Sequence, residues 1–238
     1  MPARLTLAAA CLGWAAASPA LAEPAAPKRA PAGAVVAQEA RPPEARPQPP
    51  RGGGPLTGEA VVAKANAYLN GFSTLTGDFV QQGGDGRRVQ GRLYLQRPGK
   101  LRFDYDAPAT IEVVSDGSNV VVRDRKLATY DLYPIGQTPL KFLTRERIDL
   151  GRDVRITGAT SGPEGAQVQL EDSTTFGGTS RITLFFDTNV TTLTRWRIVD
   201  PQGFQTTVQL ANLETGRRMD PRAFDINYSR QIADEGAR

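Results

Sequence analysis

The stretch Gly91-Arg92-Leu93-Tyr94-Leu95-Gln96-Arg97-Pro98-Gly99-Lys100-Leu101-Arg102-Phe103-Asp104-Tyr105 decides how this chain folds. In an extended strand, successive side chains point to opposite faces, so Gly91, Leu93, Leu95 and Arg97 share one face and Arg92, Tyr94 and Gln96 the other. Pro98-Gly99 is a tight-reversal signal. Beyond it Leu101, Phe103 and Tyr105 again alternate with charged residues. Two period-two runs around such a turn predict an antiparallel hairpin with one apolar face. One residue breaks the pattern: Arg97 ends an otherwise apolar row. A buried guanidinium is costly unless paired or hydrogen-bonded. Arg97 therefore either reaches water at the strand end or turns inward and clamps loop carbonyls with its fork of donors. Alternation alone leaves both open.

The same period extends in both directions. Strands are expected at 75–82, 110–115, 120–124, 127–133, 153–157, 167–171, 181–187, 193–199 and 204–213, separated by turns such as Gly83-Gly84-Asp85-Gly86, Asp116-Gly117, Arg125-Lys126 and Pro201-Gln202-Gly203. A single sheet of about ten strands tends to curl, so a strongly curved antiparallel sheet is expected. Before it, Thr57 is an N-cap candidate and Val61, Val62, Ala65, Leu69 and Phe72 form one helical face closed by Gly71. Pro139-Leu140-Lys141-Phe142-Leu143 has helical spacing and reads as a short helix between the two halves of the sheet, and Pro221–Phe224 as another.

The N-terminus has a different character. Arg4, the uncharged run Leu5–Ala17 and Ala20-Leu21-Ala22 have the layout of a secretory signal peptide over residues 1–22, which implies export. Residues 23–56 contain nine prolines in 34 positions and read as a Pro/Ala-rich spacer that cannot offset its ordering entropy. Residues 57–238 make up the folded domain. The net charge of +4 is not concentrated there. Of 29 basic and 25 acidic residues, Arg4 lies in the signal and five basic and three acidic residues in the spacer, which leaves 23 against 22. There is no basic stripe with interleaved aromatics, so nucleic-acid binding is unsupported. The chain has no histidine, and its one cysteine, Cys11, falls in the signal. That removes Ser-His-Asp and Cys-His nucleophile systems and zinc sites built on His or Cys. Asp104, Asp106 and Asp116 are the carboxylates that could be offered as an acid/base pair, but they read as solvated strand and turn residues. No catalytic role, cofactor or metal is expected.

The Arg97-Pro98 hairpin resembles the signature of the periplasmic outer-membrane lipoprotein carrier family, LolA. Phe79-Val80-Gln81, Val113-Val114-Ser115-Asp116-Gly117 after Pro108, Pro139 with Leu143, and the late Asp200, Gly203 and Phe224 resemble that family in order, over roughly residues 58–228. Phe103 and Leu101 depart from it, since the family often has Trp and Phe there. The resemblance implies a mainly β fold with flanking helices: an incomplete antiparallel β-barrel, or half-barrel, covered by an N-terminal helix and a short lid helix. It implies a periplasmic, non-enzymatic carrier that is a monomer. The cargo would be acylated lipoproteins, received from an inner-membrane lipoprotein-releasing transporter and delivered to an outer-membrane acceptor. On this reading Phe79, Leu93, Leu95, Leu101, Phe103, Tyr105, Val113, Phe142, Leu143 and Trp196 line an acyl-chain cavity, and Arg97 bonds to the lid as a latch. A lipid- or lipoprotein-sensing envelope module, or a carrier of another hydrophobic molecule, is the other use of the same half-barrel. Pattern alone does not separate cavity lining from ordinary core.

Overall fold

A computed structural model describes residues 55–228. The expected signal peptide and residues 23–54 of the expected spacer lie outside the described residues. The fold starts where the apolar helical face starts. Thr57 caps α1 (Gly58–Asn70) by accepting a hydrogen bond from the Ala60 N–H at 3.3 Å, and Val61, Ala65 and Leu69 are buried along one side of the helix. Gly71 closes it in an ordinary right-handed conformation.

Eleven strands follow in a single antiparallel sheet: β1 (Thr74–Gly83), β2 (Arg88–Gln96), β3 (Lys100–Tyr105), β4 (Ile111–Asp116), β5 (Asn119–Asp124), β6 (Thr129–Pro134), β7 (Arg155–Gly162), β8 (Gly165–Thr175), β9 (Gly178–Phe186), β10 (Leu193–Val199) and β11 (Gln205–Thr215). Their order in space is β6-β5-β4-β3-β2-β1-β11-β10-β9-β8-β7. The sheet is not closed, and its two edges are β6 and β7, strands consecutive in the chain. Their connection therefore has to cross the open side. It does so as a strap with a 3-10 turn (Ile135–Gln137) and two one-turn helices, α2 (Lys141–Thr144) and α3 (Leu150–Asp153). The expected short helix at 139–143 corresponds to α2. The segment at 153–157 is instead the end of α3 followed by β7, because Asp149 caps a helical turn by accepting from the Gly151 N–H at 3.1 Å. Strand β8 runs four residues beyond the expected 167–171 and carries Asp172 onto the buried face.

One face of the sheet is apolar and buried. Leu75, Phe79, Leu93, Leu95, Leu101, Phe103, Val113, Val120, Leu184, Trp196 and Val208 join the buried side of α1 and Phe142, Leu143, Ile148 and Leu150 of the strap in one core. The other face is largely wet, and Val114, Val121 and Phe224 are buried outside that core. There the 3-10 turn Pro221–Phe224 lies back against β3 and β4, held by Arg102 donating to Ala223 O at 3.3 Å.

Two glycines of the founding hairpin are there for close approach. A Cβ at Gly91 would sit 2.0 Å from the Asp104 carbonyl oxygen of β3. Gly99 has φ +74°, and a Cβ there would sit 2.3 Å from Gly117 O. The Arg97-Pro98-Gly99 corner thus packs on the Ser115–Gly117 turn, and the Ser115 hydroxyl donates to Gly99 O at 2.8 Å.

Candidate functional site

Because β2 ends at Gln96, Arg97 sits at the corner between β2 and β3, on the face that carries Leu93 and Leu95. Its side chain turns inward. Nε donates to Leu143 O of α2 at 2.8 Å, and Nη1 donates to Phe72 O at 3.0 Å and to Leu69 O. The guanidinium carbon lies 4.6 Å from the centre of the Phe72 ring. One side chain therefore ties the C-terminal end of α1, whose carbonyls lack helical partners, to the strap. Next to it the Gly99 N–H donates to Thr144 O at 2.7 Å. Burial pushes the Arg97 guanidinium down to about 10, partly opposed by Tyr68. It still carries its charge at neutral pH. Nη2 is buried with no hydrogen-bond partner among the described residues. The corner is thus a strong contact with an unsatisfied remainder, which costs about 1–3 kcal/mol.

A second polar contact holds the strap from the opposite half of the sheet. Lys141, the first residue of α2, places Nζ 2.7 Å from both Oδ1 and Oδ2 of Asp172 on β8 and donates to the Thr174 hydroxyl. Thr174 in turn donates its N–H and hydroxyl to Asp172 Oδ1 at 3.0 and 2.9 Å. The Lys141 and Asp172 side chains are 4% and 1% exposed, so this ion pair is desolvated. Beyond it the Phe176 N–H, at the tip of the β8–β9 hairpin, donates to Gln137 O at 2.8 Å.

Between these contacts the interior is aromatic. Phe79 meets Phe103 and Tyr105 edge-on at 5.0 and 5.1 Å, Phe103 meets Trp196 at 6.4 Å, and Trp196 meets Phe142 of the strap at 5.9 Å. A cavity of about 60 Å³ remains beneath residues 137–140. Small-molecule sites run to about 300–1,000 Å³, so in this closed form the interior is mostly filled by side chains. Among the ten candidate lining residues, Phe103, Tyr105, Val113 and Trp196 border the cavity. Phe79, Leu93, Leu95, Leu101, Phe142 and Leu143 pack into the core around it.

Five features of this region were not expected from the sequence. Tyr133 and Leu140 line the cavity, as does Phe176, which is 55% exposed and packs against Tyr133 at 5.8 Å. The Tyr105 hydroxyl donates to Gln81 Oε1 at 2.8 Å inside the same cavity. Phe176 had a legible signal, an aromatic residue before Gly177-Gly178 in a turn. Lys141 and Asp172 lie 31 residues apart, and nothing local links them. The carboxylates weighed as an acid/base pair do not converge on a cleft. Asp104 is exposed and paired with Arg102 at 3.2 Å, Asp106 accepts from the Gln90 amide at 3.1 Å, and Asp116 accepts the Ser118 and Asn119 N–H groups of its own turn.

The model of the family described as "Outer membrane lipoprotein carrier protein LolA" matches residues 70–227. The outer-membrane lipoprotein carrier protein of Methylococcus capsulatus is 30% identical over 176 residues, covering 69% of this chain and 82% of its own. The protein of the same description from Chromohalobacter salexigens is 28% identical over 200 residues, covering 76% and 92%. A crystal structure of a LolA superfamily protein from Nitrosomonas europaea superposes with a TM-score of 0.43 at 10% identity, covering 73% of this chain and 99% of that one. With a family match over most of the folded domain and a relative at 30% identity across it, this chain belongs to the LolA family of outer membrane lipoprotein carrier proteins.

Proposed function

We propose that this chain is a periplasmic carrier that binds the acyl chains of lipoproteins beneath its strap and ferries them from the inner to the outer membrane. Residues 1–22 would direct export, residues 23–56 would act as a spacer, and residues 57–238 would carry the cargo. The inner-membrane lipoprotein-releasing transporter would load the protein, and an outer-membrane acceptor would unload it. No catalytic step is involved.

The observation that carries this reading is the contrast between interior and cover. The interior is a continuous apolar surface, while the strap over it is held at both sides by discrete polar contacts from Arg97 and Lys141. Exposing an acyl chain to water costs about 0.8 kcal/mol per methylene, so crossing an aqueous space requires an apolar shelter. The closed form has room for only a fragment of such a chain. Cargo therefore enters by lifting the strap and taking the place of its apolar side chains Phe142 and Leu143 against Trp196 and the β1–β3 wall. Phe79, Leu93, Leu95, Leu101, Phe103, Tyr105 and Val113 supply that wall, and Arg97 closes it again. Reclosure opposes retention, which lets cargo leave at the acceptor.

The test is delivery. The purified protein is loaded with a diacylated lipoprotein and mixed with acceptor vesicles that contain outer-membrane components. Transfer of the lipoprotein to the vesicles supports a carrier. Stable binding without transfer would point to a sensing module that shares the fold, and absence of binding would remove both.

A further inference from the structure

The strap is anchored to both halves of the sheet, and its two anchors are chemically unequal. On the β2–β3 side the contacts run from a cation and an amide to neutral carbonyls: Arg97 Nε to Leu143 O at 2.8 Å and the Gly99 N–H to Thr144 O at 2.7 Å. On the β8–β9 side they run between two full charges out of water. Lys141 Nζ lies 2.7 Å from both oxygens of Asp172, Thr174 completes the cluster, and the Phe176 N–H donates to Gln137 O at 2.8 Å. Separating a desolvated ion pair leaves two uncompensated charges. Arg97, by contrast, stays bonded to Leu69 O and Phe72 O when Leu143 leaves it. Opening at Arg97 therefore leaves one cation with two of its three carbonyls, whereas opening at Lys141 separates a buried ion pair.

We propose that Lys141 and Asp172 form the hinge anchor of the lid. The strap opens by letting go of Arg97 and Gly99 and swings with the β8–β9 hairpin, to which Lys141, Asp172 and Thr174 keep it fixed. The inference rests on the carrier reading, in which the strap must lift. It adds the direction of the motion and assigns positioning roles to Lys141 and Asp172. Asp172 orients Lys141, and Thr174 orients Asp172. The mouth so created faces the β2–β3 corner, and Phe142, which lies between Lys141 and Leu143 in sequence, leaves Trp196 as the strap rises.

Two backbone amides outside the strap report the two sides separately: Gly99, which donates to Thr144 O, and Phe176, which donates to Gln137 O. Their hydrogen exchange is measured residue by residue in the full chain for the unmodified protein, Arg97→Leu, Lys141→Met and Asp172→Asn. In Arg97→Leu the Gly99 amide is expected to exchange about tenfold faster or more, with Phe176 unchanged. In Lys141→Met both accelerate, Phe176 on the order of a hundredfold. Asp172→Asn keeps an acceptor for Lys141 and gives a smaller acceleration at Phe176, which preserves the test if the methionine variant does not fold. The hinge is overturned if Arg97→Leu frees Phe176 as much as Gly99, if neither Lys141→Met nor Asp172→Asn affects Phe176, or if the change spreads equally to core sheet amides. Binding of a dipalmitoylated cysteinyl peptide is followed in parallel. A protein that never binds it, with the amide pattern as expected, loses the carrier reading and keeps the hinge. A protein that binds it, with the amide pattern absent, loses only the hinge.

Discussion

Replacing Arg97 by leucine removes a cation from the corner between β2 and β3 while leaving an apolar side chain against Phe72. Of the three carbonyls that Arg97 holds, Leu69 O lies in the last turn of α1, Phe72 O just beyond its cap, and only Leu143 O in the strap. The bond lost between closed and open forms is therefore the one to Leu143, at 2.8 Å. A hydrogen bond to a charged group contributes about 1.5–3 kcal/mol, which corresponds to roughly ten- to a hundredfold in the open–closed equilibrium. The buried, unpartnered Nη2 offsets part of this in the closed form, so the lower end is expected. A ligand that binds only the open form has its apparent dissociation constant divided by the open fraction. Arg97→Leu should therefore bind a fluorescent dipalmitoylated cysteinyl peptide about tenfold more tightly and release it to acceptor vesicles correspondingly more slowly. Arg97→Lys, which keeps the charge but not the fork, should fall between. A circular dichroism melt establishes that each variant is folded at the assay temperature, since Leu69 O of α1 and Phe72 O beyond it lose a partner. Unchanged or weaker binding by a folded Arg97→Leu protein would refute the latch.

Other positions give independent outcomes. Phe142→Ala empties the strap's contact with Trp196 and should lower unfolding free energy in urea by about 3–5 kcal/mol, less if the strap collapses onto the gap. Gly99→Ala forces alanine into a left-handed conformation, which costs about 1–3 kcal/mol, and drives its Cβ into Gly117 O, so the melting temperature should fall by more than for Gly136→Ala, where a Cβ meets nothing within 4 Å. Burial raises the Asp116, Asp124 and Asp187 carboxyls, but hydrogen bonds outweigh it and hold all three below the ordinary value: Asn119, Tyr228 and Ser118 on Asp116, Thr110, Lys126 and Leu127 on Asp124, Thr191 and Thr192 on Asp187. With the folded-state values depressed, their stabilisation is complete above the unfolded value near 4 and is lost as pH falls through the folded ones. Urea midpoints should therefore be level above about pH 5 and decline below about pH 4. The Asp187→Asn variant should have a shallower acid decline, and an equally steep one would rule out its share.

The sheet was legible because most of its strands bury one face, which imposes a period of two on the sequence. The hairpin at Gly91–Tyr105 has that period on both sides of a Pro-Gly turn. Arg97 was legible for the same reason, as a charge at the end of an apolar row. Asp172 carries the same mark after Ala166, Val168 and Leu170 on β8, but the expected strand stopped one residue short of it. Lys141 was visible only as part of a short helix, and no local rule states that it meets a carboxylate 31 residues away. The turn of α3 was missed because its signal is a lone Asp149 cap, too weak to compete with the strand pattern after it. The small volume of the cavity was beyond reach of any pattern. Lining and filling side chains are of the same types, and only packing decides whether Phe142 and Leu143 occupy the space or leave it.

If this apolar interior receives acyl chains, its affinity must depend on their length. Binding is measured with cysteinyl peptides that differ only in the length of their two acyl chains, from the same headgroup and below their aggregation concentration. Each buried methylene contributes about 0.8 kcal/mol, so once the chains are short enough to be wholly buried in the opened interior, affinity should fall roughly fourfold for every methylene removed, and Trp196→Asp should abolish the trend. Affinity that is independent of chain length, or that survives a carboxylate at position 196, would mean that acyl chains are not held in this interior.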